Sequence, residues 1–231
     1  MKLAIFDLAG TTVEDGGQVR EAFKATLALY QIPITQQELE SVRGKSKQEV
    51  IRSLVERLPG IQTARLAEEV FTVFREKLFE SVENGSIKIV NGAVETFAWL
   101  RDRNIKIGLN TGFDRITTDL ILRSINQDFG KFDAIVCAGD VPNGRPAPDL
   151  IFATMKITNV DHAREVIHVG DTQNDLLAGF YAGVRFNIGV WSGAHTREQL
   201  QSTPHTHLLP GIGALPNLFR TFPDFEMDHS G

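Results

Sequence analysis

Apolar positions along the chain change period twice, and those changes divide it into three parts. Leu3 to Phe6 form an unbroken apolar run that ends at a carboxylate, Asp7, and then at a Gly10-Thr11-Thr12 turn. A fully buried strand of a parallel sheet reads this way, its C-terminal end opening into a loop. Beyond it the period becomes helical. Val19, Phe23, Leu27 and Tyr30 mark a first helix that Pro33 stops, and Thr35 with Glu38 forms a capping box for a second, to about Val42. Gly44 breaks that helix. Ser46 with Glu49 forms another box before Val50, Ile51, Leu54 and Leu58, and Pro59-Gly60 ends this third helix. Leu66, Val70, Phe74 and Leu78 place a long fourth helix over about 63–82. Four helices with no strand between them read as an inserted module, closed by the Asn84-Gly85 turn.

From about Lys88 strands and helices alternate. Helices are expected over 92–103, 115–126, 148–156 and 175–182, and strands over 105–110, 132–138, 165–170 and 184–189, with a last short strand over 206–209. Such alternation implies an α/β, doubly wound parallel sheet. The expected organisation is a Rossmann-like core of residues 1–14 and 88–231, interrupted by a helical cap of residues 15–87. The polar tail from Pro223 to Gly231 is expected to fray.

Composition narrows the class. The chain has 231 residues, 42% of them hydrophobic and 23% charged, and a formal net charge of −5. That balance suits a soluble core and provides no basic field for nucleic acid or an anionic membrane. No apolar run approaches the roughly 20 residues of a membrane helix. Met1-Lys2 leads straight into the first strand, so a cytoplasmic protein without a signal peptide is expected. The one cysteine, Cys137, falls inside an apolar strand and reads as a buried residue. An apolar stripe on the first helix could be covered within the cap or by a second subunit, which leaves monomer and homodimer open.

Candidate chemistry gathers at the strand ends, where open α/β sheets bind their ligands. Asp7 follows the first strand, Asn110-Thr111-Gly112 the second, Asp140 and Asn143-Gly144-Arg145-Pro146 the third, and Asp171 to Asp175 the fourth. Each alone could be a turn or a helix cap. Together they offer carboxylates, a hydroxyl and a cation on one rim, which is what phosphoryl transfer with Mg²⁺ requires. A carboxylate can also serve as the nucleophile and form an aspartyl-phosphate.

With these motifs in order, the chain resembles the haloacid dehalogenase superfamily and, within it, the phosphonoacetaldehyde hydrolase (phosphonatase) branch. Asp7-Leu8-Ala9-Gly10-Thr11-Thr12 stands where most members have Asp-x-Asp-x-Thr, and Arg145 stands where most have lysine. The resemblance implies that Asp7 is nucleophile and Mg²⁺ ligand, that Ala9 offers its backbone carbonyl to the metal, and that Asp171 is the remaining protein ligand with Asp175 in support. It assigns the phosphoryl group to Thr11, Thr111, Gly112 and Arg145. Ala9 removes the acid that protonates an ester leaving group, an acid of no use when the leaving atom is carbon.

An imine can accept the electrons of a breaking carbon–phosphorus bond. The phosphonatase branch takes the amine from a Gly-x-x-Lys segment, matched here by Gly44-Lys45-Ser46-Lys47. Bringing a lysine from about 10.4 to near 7 costs roughly 4–5 kcal/mol, and a helix N-terminus supplies about 0.3–1 of it. Burial, with Arg43 and Lys45, must contribute the rest. The branch's methionine before the glycine and histidine after the lysine are replaced by Arg43 and Val50. Arg43 suggests a substrate with an additional anionic group. The expected substrate is therefore a small organic phosphonate cleaved with Lys47 as imine former. The alternatives are a phosphomonoester hydrolysed without Lys47 and, more remotely, a non-catalytic binding module. Among the histidines, His168 reads as a hydrogen-bonded core residue, His195 as part of a surface loop, and His205 with His207 as an edge strand.

Overall fold

The structure is a computed structural model that describes all residues except 15, 60–62, 85–86, 126–129 and 223–231. The expected Pro59-Gly60 stop, the Asn84-Gly85 turn, the helix end at Asn126 and the fraying tail fall wholly or partly outside the described residues.

Strand β1 (Leu3–Asp7) is buried at every position. It lies in the middle of a six-stranded sheet of order β3-β2-β1-β4-β5-β6, with β2 at Lys106–Thr111, β3 at Ala134–Cys137, β4 at Val166–Gly170, β5 at Phe186–Val190 and β6 at His207–Leu209. All pairings are parallel. The chain places β2 on one side of β1 and, later, β4 on the other, so the order reverses around β1 and a crevice opens above it. In register, Asp7 lies opposite Asn110.

Both faces of β1 are covered, which explains its unbroken apolar run. Ala4 and Phe6 pack on helix α5 (Ala93–Arg101) through Ala93, Phe97 and Leu100. Leu3 and Ile5 face the opposite layer, where α7 (Asp149–Ile157) contributes Ile151 and Met155 and α8 (Gln173–Ala182) contributes Ala178 and Ala182. Helix α6 (Arg115–Ser124) follows β2 and is capped by Asp114. Two five-residue helices, α9 (Arg197–Gln201) and α10 (Leu215–Phe219), were not anticipated, because five residues are too few to show a helical period.

Between β1 and α5 the described residues form four helices and no strand: α1 (Gln18–Leu29), α2 (Gln36–Ser41), α3 (Lys47–Val55) and α4 (Thr63–Asn84). They bury a separate apolar cluster around Phe23, Leu27, Ile51, Leu54, Val70, Phe74 and Leu78. The Thr35/Glu38 capping box closes as expected. At α3 only half of the expected box forms: Ser46 accepts from the Glu49 amide, while the Glu49 carboxylate lies beside Gly144 across the crevice.

Candidate active site

Three strand ends supply the floor of the crevice. Asp7 closes β1, Thr111 closes β2, and Asp171 follows β4 directly. The segment after β3 contributes Arg145. Its side chain is buried and forms an ion pair with Asp7 Oδ1 and another with Asp175 Oδ1 at 2.9 Å. Its second terminal nitrogen donates to the Asn110 carbonyl at 3.0 Å. Burial works against the guanidinium charge, but Asp175 and Asp7 outweigh it and hold the group protonated. Burial acts in the opposite sense on Asp7. It pushes the carboxyl up from 3.8 to about 7, although Arg145 pulls it back down.

Asp171 is completely buried and tightly enclosed. Thr11 Oγ1 donates to one carboxylate oxygen at 3.2 Å, and the Ala194 amide donates to the other at 2.7 Å. A Cβ on Gly10 or on Gly193 would fall 2.1 or 2.3 Å from Asp171 Oδ2, so both backbones approach as only glycine permits. Asp175 sits in the first turn of α8, within a capping box closed by Thr172.

The helical insertion covers this floor with the segment between α2 and α3. The Asn174 carboxamide donates to the carbonyls of Arg43 at 2.7 Å and Ser41 at 3.2 Å, and Arg43 Nη1 donates to the Ala194 carbonyl at 2.6 Å. A Cβ on Gly112 would come within 2.8 Å of the Gly44 carbonyl. The cavity enclosed this way is lined from below by Asp7, Ala9, Thr111, Gly112, Arg145 and Asp171, and from above by Arg20, Phe23, Arg43, Lys45 and Lys47. Lys47 is the first residue of α3, and its Nζ donates to the carbonyls of Val42 at 3.0 Å and Lys45 at 3.2 Å, 5.7 Å from the Phe23 ring centre.

Of the residues expected at the site, eight therefore line one cavity: Asp7, Ala9, Arg43, Lys47, Thr111, Gly112, Arg145 and Asp171. Thr11 and Asp175 stand behind it, the first holding Asp171 and the second holding Arg145. Asp140 and Asn143 do not line it. Asp140 accepts from the Cys137 amide and Arg115, and Asn143 bonds Asp149. His195 is corrected from surface to interior. It is 4% exposed, and its Nδ1 accepts from the Gln173 amide at 3.0 Å. His168 is buried, but neither ring nitrogen has a hydrogen-bond partner among the described residues. Burial lowers its pKa to about 4, which keeps the ring neutral. Arg20 and the Ala194 backbone escaped the sequence reading, and Asn110 and Asn174 had no role in it beyond their place in the strand-end motifs. A single arginine on a helix, or an asparagine in a loop, reads as solvated until the fold places it.

The donor set suits a hard cation. Asp7, Asp171 and Asp175 are all 6% exposed or less and face one guanidinium, which leaves an excess of buried carboxylate. No cage of three or more His, Cys, Asp or Glu ligands forms among the described residues. Mg²⁺ does not need one, since it binds through one or two carboxylates, with waters and substrate oxygens completing its shell.

A family model described as haloacid dehalogenase-like hydrolase matches residues 1–183. The phosphonoacetaldehyde hydrolase of Bacillus cereus is 31% identical, over 95% of this chain and 88% of its own length. That of Hahella chejuensis is also 31% identical, over 82% of this chain and 68% of its own. Among solved structures, a hydrolase from Pseudomonas syringae superposes with a TM-score of 0.83 at 25% identity, covering 96% of this chain and 99% of that one.

Proposed function

The chain belongs to the haloacid dehalogenase-like hydrolases, and on that premise we propose that it cleaves the carbon–phosphorus bond of a small phosphonate aldehyde, as the name of its 31%-identical relatives suggests. One observation carries the reading. Lys47 lines the same cavity as the Asp7–Arg145 pair, and position 9, also on that cavity, is an alanine. This reading takes Lys47 as the amine, Asp7 as the nucleophile and Arg145 as the phosphoryl-binding cation, with no carboxyl at position 9 to protonate an ester oxygen.

In this reading the Lys47 amine condenses with the substrate aldehyde, releasing water and leaving an iminium ion next to the carbon that carries phosphorus. A carboxylate oxygen of Asp7 attacks phosphorus while the electrons of the carbon–phosphorus bond move into the iminium, giving an enamine. Arg145 neutralises the transferring group, and its position is fixed by Asp7, Asp175 and the Asn110 carbonyl. Thr111 supplies a hydroxyl at the end of β2. The enamine takes up a proton on carbon and is hydrolysed to free the amine and the aldehyde that has lost phosphorus. A further water hydrolyses the aspartyl-phosphate, so the net reaction consumes one water. Mg²⁺, held by Asp7, the Ala9 carbonyl and Asp171, would offset the phosphoryl charge and favour the ionised form of Asp7. The helical insertion acts as the cap that closes over these steps.

The geometry of Lys47 favours a second reading. Its amine is bonded to two carbonyls of its own segment and must leave them before it can condense with an aldehyde. If it stays there, the same floor hydrolyses a small phosphomonoester, with Lys47 as a structural cation. Borohydride added during incubation with phosphonoacetaldehyde separates the two. The first reading predicts an ethyl adduct on Lys47 by peptide mass spectrometry, and a loss of turnover of about 10³-fold or more in Lys47→Ala. An unmodified lysine, with phosphate release from phosphomonoesters untouched by Lys47→Ala, selects the second.

A further inference from the structure

The upper wall of the cavity holds more positive charge than either reading uses. Arg20 on α1 and Arg43 before α3 both line it, and both turn to one carboxylate, that of Glu40 on α2. The sharing is unequal. Arg43 Nε lies 2.8 Å from Glu40 Oε2, whereas Arg20 approaches Glu40 Oε1 only to 3.7 Å. Gln36 also donates to Glu40 Oε1, at 2.9 Å. Arg20 Nε is buried and has no acceptor among the described residues. The Arg20 guanidinium lines the cavity and lies 3.7 Å from the Glu40 carboxylate, so its terminal nitrogens keep donors that a ligand oxygen can take up. Arg145, the cation on the floor, is already committed to Asp7 and Asp175. The two ends of the cavity therefore carry separate cations, one for the phosphorus end and one pair above it.

Resting on the proposed phosphoryl site below, we propose that Arg20 and Arg43, braced by Glu40, form a distal anion subsite, and that the substrate carries a second anionic group at the end away from phosphorus. A carboxylate and a second phosphoryl group share the chemistry required, namely two or more oxygens facing a pair of guanidinium groups. Glu40 holds both arginines against their mutual repulsion until the ligand arrives. A neutral chain end would forgo these contacts, so a phosphonate aldehyde with a second anionic group should be preferred over phosphonoacetaldehyde itself.

Titration calorimetry with unreactive probes tests this on the full chain in the presence of Mg²⁺. Inorganic phosphate reports the lower site alone, propylphosphonate adds a neutral tail, and 2-carboxyethylphosphonate and ethane-1,2-bisphosphonate add the two candidate distal anions. The wild-type protein should bind at least one of the last two 10-fold or more tighter than propylphosphonate. Arg20→Met should reduce that preference to about 2-fold while leaving phosphate affinity within 2-fold, and Arg43→Met should reduce the preference as well. Equal affinity for neutral and anionic tails would overturn the subsite, as would variants that weaken phosphate, propylphosphonate and the dianions alike. Absence of phosphate binding would remove the lower site as well and overturn both proposals. Phosphate binding without distal preference removes only this one.

Discussion

Asp7 shows how a single residue is destabilised for a purpose. Its carboxyl is raised from 3.8 to about 7, chiefly by burial. Between those values the folded state keeps a proton that the unfolded chain has released, so stability falls as pH rises across this window in metal-free protein. His168 has the opposite sign. Its pKa drops from 6.5 to about 4 through burial, so the unfolded chain binds the extra proton and stability rises with pH over that range. The two effects oppose each other between about pH 4 and 6.5. His168→Gln should therefore expose a decline in urea-unfolding stability from pH 4 to 7 that is muted in the wild type, and an unchanged profile would remove the assignment. Asp7→Asn should abolish turnover and, without metal at pH 7.5, stabilise the fold by on the order of 1–2 kcal/mol. Arg145 keeps Asp175 as a partner in that variant, which limits the penalty of breaking its other pair.

At the scale of elements, the pieces that meet the cavity are short loops whose backbones come unusually close. Gly44 has φ +73°, and a Cβ there would lie 2.5 Å from Thr172 Oγ1. An alanine would have to adopt a left-handed conformation and push the segment between α2 and α3 off the core. Gly44→Ala should cost roughly 1–2 kcal/mol of stability and at least 10-fold in kcat/KM, measured by phosphate release and thermal unfolding. A loss in stability without a loss in activity would place the glycine outside the site. Long or fully buried elements were legible from sequence because their periods are long enough to read: β1 as an unbroken apolar run, α4 as a four-point apolar stripe. The Thr35 box was legible because both partners are local. Glu49 was not, because a core loop 95 positions away in the chain offered its carboxylate a different location beside Gly144. The same limit applied to the site. The strand-end carboxylates, Thr111 and Arg145 announce themselves by position in the α/β alternation, whereas Arg20 and Asn174 acquire their roles only from what the fold sets opposite them.

The whole molecule is two sets of apolar clusters that share Ile87 and Phe113 and, at the α2–α3 segment, meet across a polar seam. The helical insertion packs around Phe23 and Phe74, and the sheet packs its two faces separately. Between the α2–α3 segment and the core the named contacts are hydrogen bonds and close backbone approaches: Asn174 to Ser41 and Arg43, Arg43 to Ala194, Gly112 against Gly44. Such a seam can part at the α2–α3 segment while the apolar contacts of Ile87, Phe113 and Leu120 hold the cap to the core, and a cavity roofed by its own cap requires some such opening if substrate is to enter. Partly buried hydrogen bonds contribute about 0.5–1.5 kcal/mol each, so the two from Asn174 are worth roughly 1–3 kcal/mol of closure, or about 5–150-fold in the closed-to-open ratio. Asn174→Ala should accordingly raise amide exchange across residues 41–47 and lower kcat/KM by up to that factor. Global unfolding should move by no more than that closure energy, about 1–3 kcal/mol, because Asn174 packs in neither apolar cluster. Mg²⁺ with beryllofluoride, which mimics a phosphorylated aspartate, should restore protection of the same segment in the variant. Exchange that rises equally in the sheet would mean that Asn174 supports the fold, and the seam would then not be the moving part.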